Sequence, residues 1–214
     1  MWKQMKKILY FTLTLLTLVL AGCKEDAGEC RIHGTLPDDK YDGKCIYLIA
    51  LDKTIRDSVG IDSCFVKDRK FEITTRKNMM GIIRMDYHFR FGLQDLLVVE
   101  EPGDLYVTID SVSSGHGTKN NDVLQNWKQM TEVHNKQYGQ LISMYQNAHF
   151  SGDSLRANSV KAHADSVHHA YKDATRKMAA GLSDGPLKDF LGGMFPTSYK
   201  RQMPDGTIQE IPLD

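Results

Sequence analysis

From Cys30 to Ser111 the chain is written in short runs whose apolar residues recur at every second position. Phe71-Glu72-Ile73-Thr74-Thr75, Leu105-Tyr106-Val107-Thr108-Ile109 and the stretch around Ile82-Ile83-Arg84-Met85 alternate in this way, the mark of strands with one face buried. Residues 45–51 form one continuous apolar run, and Leu96-Leu97-Val98-Val99 reads as a more deeply buried strand. Turn chemistry separates the runs at Pro37-Asp38-Asp39, Asp42-Gly43, Lys67-Asp68-Arg69, Gly92 and Pro102-Gly103. About seven strands in so short a stretch predict a small antiparallel sandwich or barrel.

The period then changes. Leu124, Trp127, Thr131, His134, Tyr138, Leu141, Tyr145 and Ala148 recur at three- and four-residue spacing, and Val160, Ala164, Val167, Tyr171, Ala174 and Met178 do the same. Two such stripes joined by Phe150-Ser151-Gly152-Asp153 predict an antiparallel helical hairpin. Gly181 is placed to end the second helix as a C′ residue. The apolar piece from Pro186 to Phe195 is expected to fold back onto the rest, and a polar tail with a Pro204-Asp205-Gly206 turn follows. The predicted class is α+β: an antiparallel β-sandwich-like N-terminal domain, residues 29–115, then a helical hairpin and short helix, 116–195, and a tail, 196–214.

The first residues carry an address. Lys3, Lys6 and Lys7 precede an apolar run from Ile8 to Leu20 broken only by Thr12, Thr14 and Thr17. The run is too short for a membrane span of about 20 residues, and its basic start fits a secretory signal. Leu20-Ala21-Gly22-Cys23 looks like the lipobox of bacterial lipoproteins. That resemblance implies a signal peptide over residues 1–22, cleavage before Cys23, a diacylglycerol on its thiol, an acyl chain on the new amino group, and a tether over 23–28. Several acyl chains hold a protein stably on a bilayer. Lys24-Glu25-Asp26 resembles the lysine-plus-acids signal that sends some lipoproteins of Gram-negative anaerobes to the cell surface; the alternative is a charged, solvated tether. The expected location is therefore the bacterial envelope, at the outer membrane, on its periplasmic face or the cell surface.

Charge excludes one class of partner. The 27 basic and 27 acidic side chains cancel, and loss of the signal removes three lysines and no acid. A broad electrostatic nucleic-acid binder needs a basic excess, so no nucleic-acid partner is expected. Beyond Cys23, three cysteines remain. An exported chain meets oxidising conditions, which makes Cys45 and Cys64, both in strand-like text, the candidate disulfide pair. The other reading makes all three small buried apolar side chains. No Cys-x-x-Cys is present, so the dithiol of thioredoxin-type chemistry is missing.

Several pieces fall in a recognisable order: Ile32-His33-Gly34, Lys44-Cys45-Ile46-Tyr47-Leu48, Ile61-Asp62-Ser63, Val66, Phe71-Glu72-Ile73, Glu100-Glu101-Pro102-Gly103, Val107-Thr108-Ile109 and Gly117-Thr118-Lys119-Asn120-Asn121. The set resembles the β-rich domain of unknown function that precedes thioredoxin-like domains in exported lipoproteins of Gram-negative anaerobes. The resemblance covers roughly residues 29–125. In that family the catalytic dithiol belongs to the downstream domain. The segment from Met203 to Asp214 looks like the opening hairpin of such a domain. The resemblance thus implies either a non-catalytic accessory or partner-binding lipoprotein, or a truncated or split thiol–disulfide oxidoreductase with a thioredoxin-like protein as partner.

Other chemistry is thin. Gly115-His116-Gly117-Thr118-Lys119 lacks the spacing of a phosphate loop and reads as a strand-to-helix turn in which Thr118, Asn120 or Asn121 caps the helix. Asp165, His168 and His169 share helical spacing that allows a weak metal site, although zinc normally draws further ligands from elsewhere; the stripe leaves Asp165 and His168 nearer solvent. His134, inside the stripe, is expected as a hydrogen-bonded core histidine. Glu100 and Glu101 are expected in turn or surface roles, since strand neighbours point to opposite faces. Tyr87-His88-Phe89-Arg90-Phe91 is expected to pack on the sandwich. No catalytic residue and no cofactor beyond the lipid modification is predicted.

Overall fold

Alternation at period two becomes eight strands in two four-stranded sheets. The computed structural model describes residues 28–51, 61–86, 92–203 and 206–213. The strands are β1 (Cys30–Thr35), β2 (Cys45–Ala50), β3 (Ile61–Phe65), β4 (Lys70–Thr75), β5 (Met80–Met85), β6 (Leu96–Val99), β7 (Gly103–Thr108) and β8 (Ser114–His116). An outer sheet has the order β4-β1-β7-β8 and a middle sheet the order β3-β2-β5-β6. All neighbours are antiparallel except β1 and β7, which run parallel.

Ile32, Phe71, Ile73, Leu105 and Val107 from the outer sheet meet Ile46, Leu48, Ile83, Met85, Leu96 and Val98 from the middle sheet in one apolar core. Close packing of this kind supplies most of a small domain's favourable free energy. Gly34 makes the packing possible, because a Cβ there would sit 1.9 Å from the Phe71 ring.

Three helices follow: α1 (Lys119–Phe150), α2 (Ser154–Ala180) and α3 (Pro186–Met194). The sequence stripes are the buried ones, with Leu124, Trp127, His134, Leu141 and Ala148 on α1 and Val160, Ala164 and Tyr171 on α2. The hairpin turns at Gly152, whose φ is +78°, and Asp153 caps α2 by accepting from the Arg156 N–H at 3.0 Å. Gly181 stands at the end of α2 but in right-handed backbone, φ −81°, so the helix stops without the left-handed turn expected of glycine.

The helices form a third layer. Leu124 and Trp127 of α1 and Leu187 and Leu191 of α3 pack on Met80 and Val99, on the face of the middle sheet turned away from the core. Past this contact, α1 and α2 hold each other through a smaller cluster of Leu141, Val160 and Ala164. A short ribbon, β9 (Ser198–Gln202) with β10 (Ile208–Pro212), closes the described chain. Among the described residues no helix is long and apolar enough to cross a membrane.

Candidate functional site

The strand register arranges the outward residues of the outer sheet in rows. Glu72 of β4 lies opposite His33 of β1, His33 beside Tyr106 of β7, and Tyr106 opposite His116 of β8. Below them run Lys70, Thr35, Thr108 and Ser114; above them, Thr74, Arg31 and Asp104. Paired residues share a face of a sheet, so the period-two code that buries Ile32, Leu105 and Val107 sends this set outward.

The row is held by its own contacts. Arg31 donates from Nε to Asp104 Oδ1 at 2.8 Å and from Nη2 to Oδ2 at 3.1 Å, a bidentate fork. His33 lies between two carboxylates, with Nε2 3.1 Å from Asp104 Oδ1 and Nδ1 3.4 Å from Glu72 Oε1. Arg31 and His33 hold the Asp104 carboxyl far below the usual carboxylate range. The His33 and Tyr106 rings stack at 5.2 Å, and His116 lies 6.1 Å from Tyr106. Tyr106 is 49% exposed. A shallow depression opens here between His33, Thr35, Lys70, Glu72, Tyr106 and His116. Its lining brings one cation, Lys70, one carboxylate, Glu72, and the hydroxyls of Thr35, Tyr106 and Thr108, which can donate or accept.

The joint between sheets and helices is built around two acids and an asparagine. Glu100 is 1% exposed, a correction to the expected turn or surface role. Its Oε2 accepts from the Thr75 hydroxyl at 2.8 Å, which ties the end of β6 to β4 of the other sheet. A Cβ at Gly81 would come within 2.9 Å of this carboxyl, so glycine leaves it room. Burial raises the Glu100 pKa, opposed by the Thr75 hydrogen bond and Lys77.

Glu101 turns the other way and caps α1, accepting from the Asn120 N–H at 2.7 Å and the Asn121 N–H at 3.3 Å. A carboxylate suits the positive end of a helix. Thr118 occupies the N-cap position without a side-chain cap bond. Asn121 instead pairs with strand β6: its Oδ1 accepts from the Val99 N–H at 2.9 Å and its Nδ2 donates to the Val99 carbonyl at 2.8 Å.

The cysteines do not pair. Cys64 lies opposite Ile46, and Cys45 opposite Phe65. Ile46 is buried while Phe65 is 71% exposed, so the two thiols point to opposite faces of the middle sheet, and Cys30, Cys45 and Cys64 are all free. The expected Cys45–Cys64 bridge is excluded by parity of register, because adjacent strand positions face opposite ways. Burial, with Glu100 close by, pushes the Cys30 thiol up to about 11, away from nucleophilic chemistry.

On the hairpin, Asp165, His168 and His169 do not converge. Asp165 accepts from Lys161 Nζ at 2.7 Å, His169 is exposed, and among the described residues no group of three or more His, Cys, Asp or Glu is placed to hold a metal ion. His168 is half-buried rather than solvent-facing: its Nδ1 lies 3.4 Å from His134 Nε2 across the hairpin. His134 is the hydrogen-bonded histidine expected of the stripe, 9% exposed and stacked at 4.1 Å on Tyr171 and 5.4 Å on Tyr138. Its Nδ1 donates to Asn135 Oδ1 at 3.1 Å, and the Phe195 ring meets both His168 and Tyr171 edge-on. Asp62 is engaged by Lys77 at 2.7 Å. The signal segment, the lipobox with Cys23, the tether as far as residue 27 and residues 87–91 lie outside the described residues.

Residues 30–124 match the family model of a domain of unknown function, DUF4369. The match spans both sheets and the first turns of α1, and so takes in the whole outward row of the outer sheet. No curated protein and no solved structure matches the chain.

The strands that carry this row are legible in the sequence, but Tyr106, Asp104, Arg31 and His116 are not among the site residues expected from it. The available signal was the polar half of each alternating strand. What brings the halves together is the parallel pairing of β1 with β7, which no local pattern announces.

Proposed function

We propose that this is a non-catalytic, lipid-anchored lipoprotein of the bacterial cell envelope, at the outer membrane, serving as an accessory or partner-binding module. The observation that supports it best is the outward face of the outer sheet. Binding residues held on strands are positioned more firmly than residues on loops, and the Arg31–Asp104–His33–Glu72 contacts fix this face in advance, which lowers the ordering cost of binding. Tyr106 and Arg31 belong to the residue types that dominate binding energy in interfaces. The thiols favour the non-catalytic reading: one is buried with a raised pKa and the other two face opposite ways, so no two of them form a working dithiol.

Mass spectrometry of the full chain extracted from membranes tests the anchor. A first residue Cys23 bearing a diacylglycerol and an N-acyl group is expected; an unmodified residue 23 overturns it. Photocrosslinking from position 106, compared with position 65 on the middle sheet, tests the face. Specific adducts at 106 alone are expected, and equal labelling at both positions removes the argument. Turnover of insulin or a dithiol dye by the purified chain would defeat the non-catalytic reading.

A docking role toward a thioredoxin-like protein is the second reading. Its support is the β9–β10 ribbon, which pairs only with itself among the described strands and leaves strand edges of the kind that partners extend. Co-purification with such a protein, lost on replacing Ile208 and Tyr199 by lysine, is the expected sign.

A further inference from the structure

We propose that His134 and His168 form a two-nitrogen site for a tetrahedral divalent metal ion, with zinc as the best fit, that staples α1 to α2 at the waist of the hairpin. Two nitrogens bound to one tetrahedral zinc at about 2.0–2.1 Å stand about 3.3–3.4 Å apart. Nε2 of His134 and Nδ1 of His168 stand 3.4 Å apart. That separation is the long end of an N–H···N hydrogen bond and equals the edge of the zinc tetrahedron.

The surroundings prepare one ligand for this role. The tautomer of His134 that donates from Nδ1 to Asn135 Oδ1, 3.1 Å away, leaves Nε2 with its lone pair free for a metal. Such an outer contact is the usual companion of a metal-binding imidazole. Tyr138 and Tyr171 clamp the ring on its faces, so His134 presents its nitrogen from a fixed position. His168 is half-buried and keeps a path to solvent.

Proton bookkeeping is simple. Without metal, the Nδ1–H of His168 can donate to His134 Nε2. With metal bound, that proton resides on Nε2 of His168 instead, so two neutral imidazoles ligate and no net proton is released. The two remaining positions of the tetrahedron fall to water, since no third His, Cys, Asp or Glu among the described residues joins the pair. Two protein ligands give weaker binding than the three or four of dedicated zinc sites.

The fold gives the staple a purpose. The pair sits between the cluster that docks the hairpin on the middle sheet and the small Leu141–Val160–Ala164 cluster further out. A metal at the waist would add a polar tie between two helices that hold each other further out through a small apolar cluster.

The test uses the full chain, purified in detergent without an affinity tag and titrated with Zn²⁺ and then Co²⁺. Expected results are one zinc per chain attributable to the pair, a melting temperature that rises with zinc, and the intense visible bands of tetrahedral Co²⁺. His134→Gln and His168→Gln should each weaken binding about tenfold or more, and Asn135→Ala should weaken it less. His169→Gln, one residue along and exposed, should bind as the parent does. Circular dichroism of each variant without metal separates loss of the site from loss of the helix. No binding at about 1 mM zinc, binding unchanged in a folded His168→Gln variant, or an octahedral Co²⁺ spectrum each overturns the proposal.

Discussion

The outer and middle sheets have four strands each and share one core, yet their far faces differ. The far face of the middle sheet carries Met80, Leu97 and Val99 and lies under α1 and α3. The far face of the outer sheet carries Arg31, His33, Glu72, Asp104, Tyr106 and His116 and lies open. The same period-two code thus writes two instructions. Apolar residues at outward positions call for a third layer, because leaving them in water forfeits about 25 cal/mol per Å². Polar and aromatic residues there call for none and leave a surface whose composition is free to serve binding. Where stability is made and where recognition is expected fall on opposite sides of the molecule.

The sharpest way to break this contrast is to unseat the third layer. Leu191 of α3 is fully buried against it, and removing such a side chain leaves a cavity in addition to the lost transfer energy. Leu191→Ala should cost about 2–5 kcal/mol, read as a lowered denaturant midpoint. A loss under 1 kcal/mol would show that the helices add little to the sheets.

Asn121 tests the same joint by polarity. Its amide is buried and satisfies both the N–H and the C=O of Val99. Asn121→Ala leaves the Val99 N–H without its partner, while the carbonyl keeps the Glu101 N–H at 3.0 Å; an unsatisfied buried group costs about 1–3 kcal/mol. The expected loss is about 1–3 kcal/mol; Asn121→Asp keeps an acceptor for the Val99 N–H but buries a carboxylate that cannot donate to the carbonyl or to Thr118. Hydrogen exchange at the Val99 amide should speed up in Asn121→Ala.

Much of this was legible in the sequence, and the failures have physical causes. Alternation marks β4, β5 and β7, continuous apolar runs mark β2 and β6, and the three-four spacing marks α1 and α2 with their buried faces. Strand β8 was missed because Ser114-Gly115-His116 has too few residues to show a period. The Cys45–Cys64 pairing failed on a single residue of register, which text cannot supply and which reverses the face of every side chain. A turn or surface role is expected of Glu100 because strand neighbours such as Glu100 and Glu101 point to opposite faces. Its burial depends on Thr75 arriving from the other sheet and on Gly81 making room. His168 was placed near solvent because a helical stripe ranks positions on its own helix and cannot see His134 on the next one.

Glu100 sharpens the comparison through pH, since it bridges the two sheets from within. Its folded-state pKa lies above the ordinary 4.5. Its contribution is therefore most favourable below that value and is lost as pH rises through the folded pKa. Glu100→Gln keeps an acceptor for Thr75 and sheds the charge. Melting temperatures of parent and variant should coincide near pH 4 and separate toward pH 8, with the variant the more stable. A gap of constant size across this range would mean that the carboxyl is not penalised by burial.

The smallest expected change carries the argument about function. Tyr106 is half exposed and stands on the open face, in contact with His33 and His116 but outside the core. Substitutions at surface positions away from caps, cores and buried networks usually fall within about 0.5 kcal/mol, and Tyr106→Ala should do the same in chemical denaturation. The Arg31–Asp104 fork lies one row above and should be undisturbed, so Asp104 would still report its lowered pKa by NMR titration. A protein with no use for this face gains almost nothing from a tyrosine there, because the ring's exposed half returns no burial energy. If Tyr106→Ala proved as damaging as Leu191→Ala, the row would be a structural element and the division between a stabilising face and a recognition face would fail.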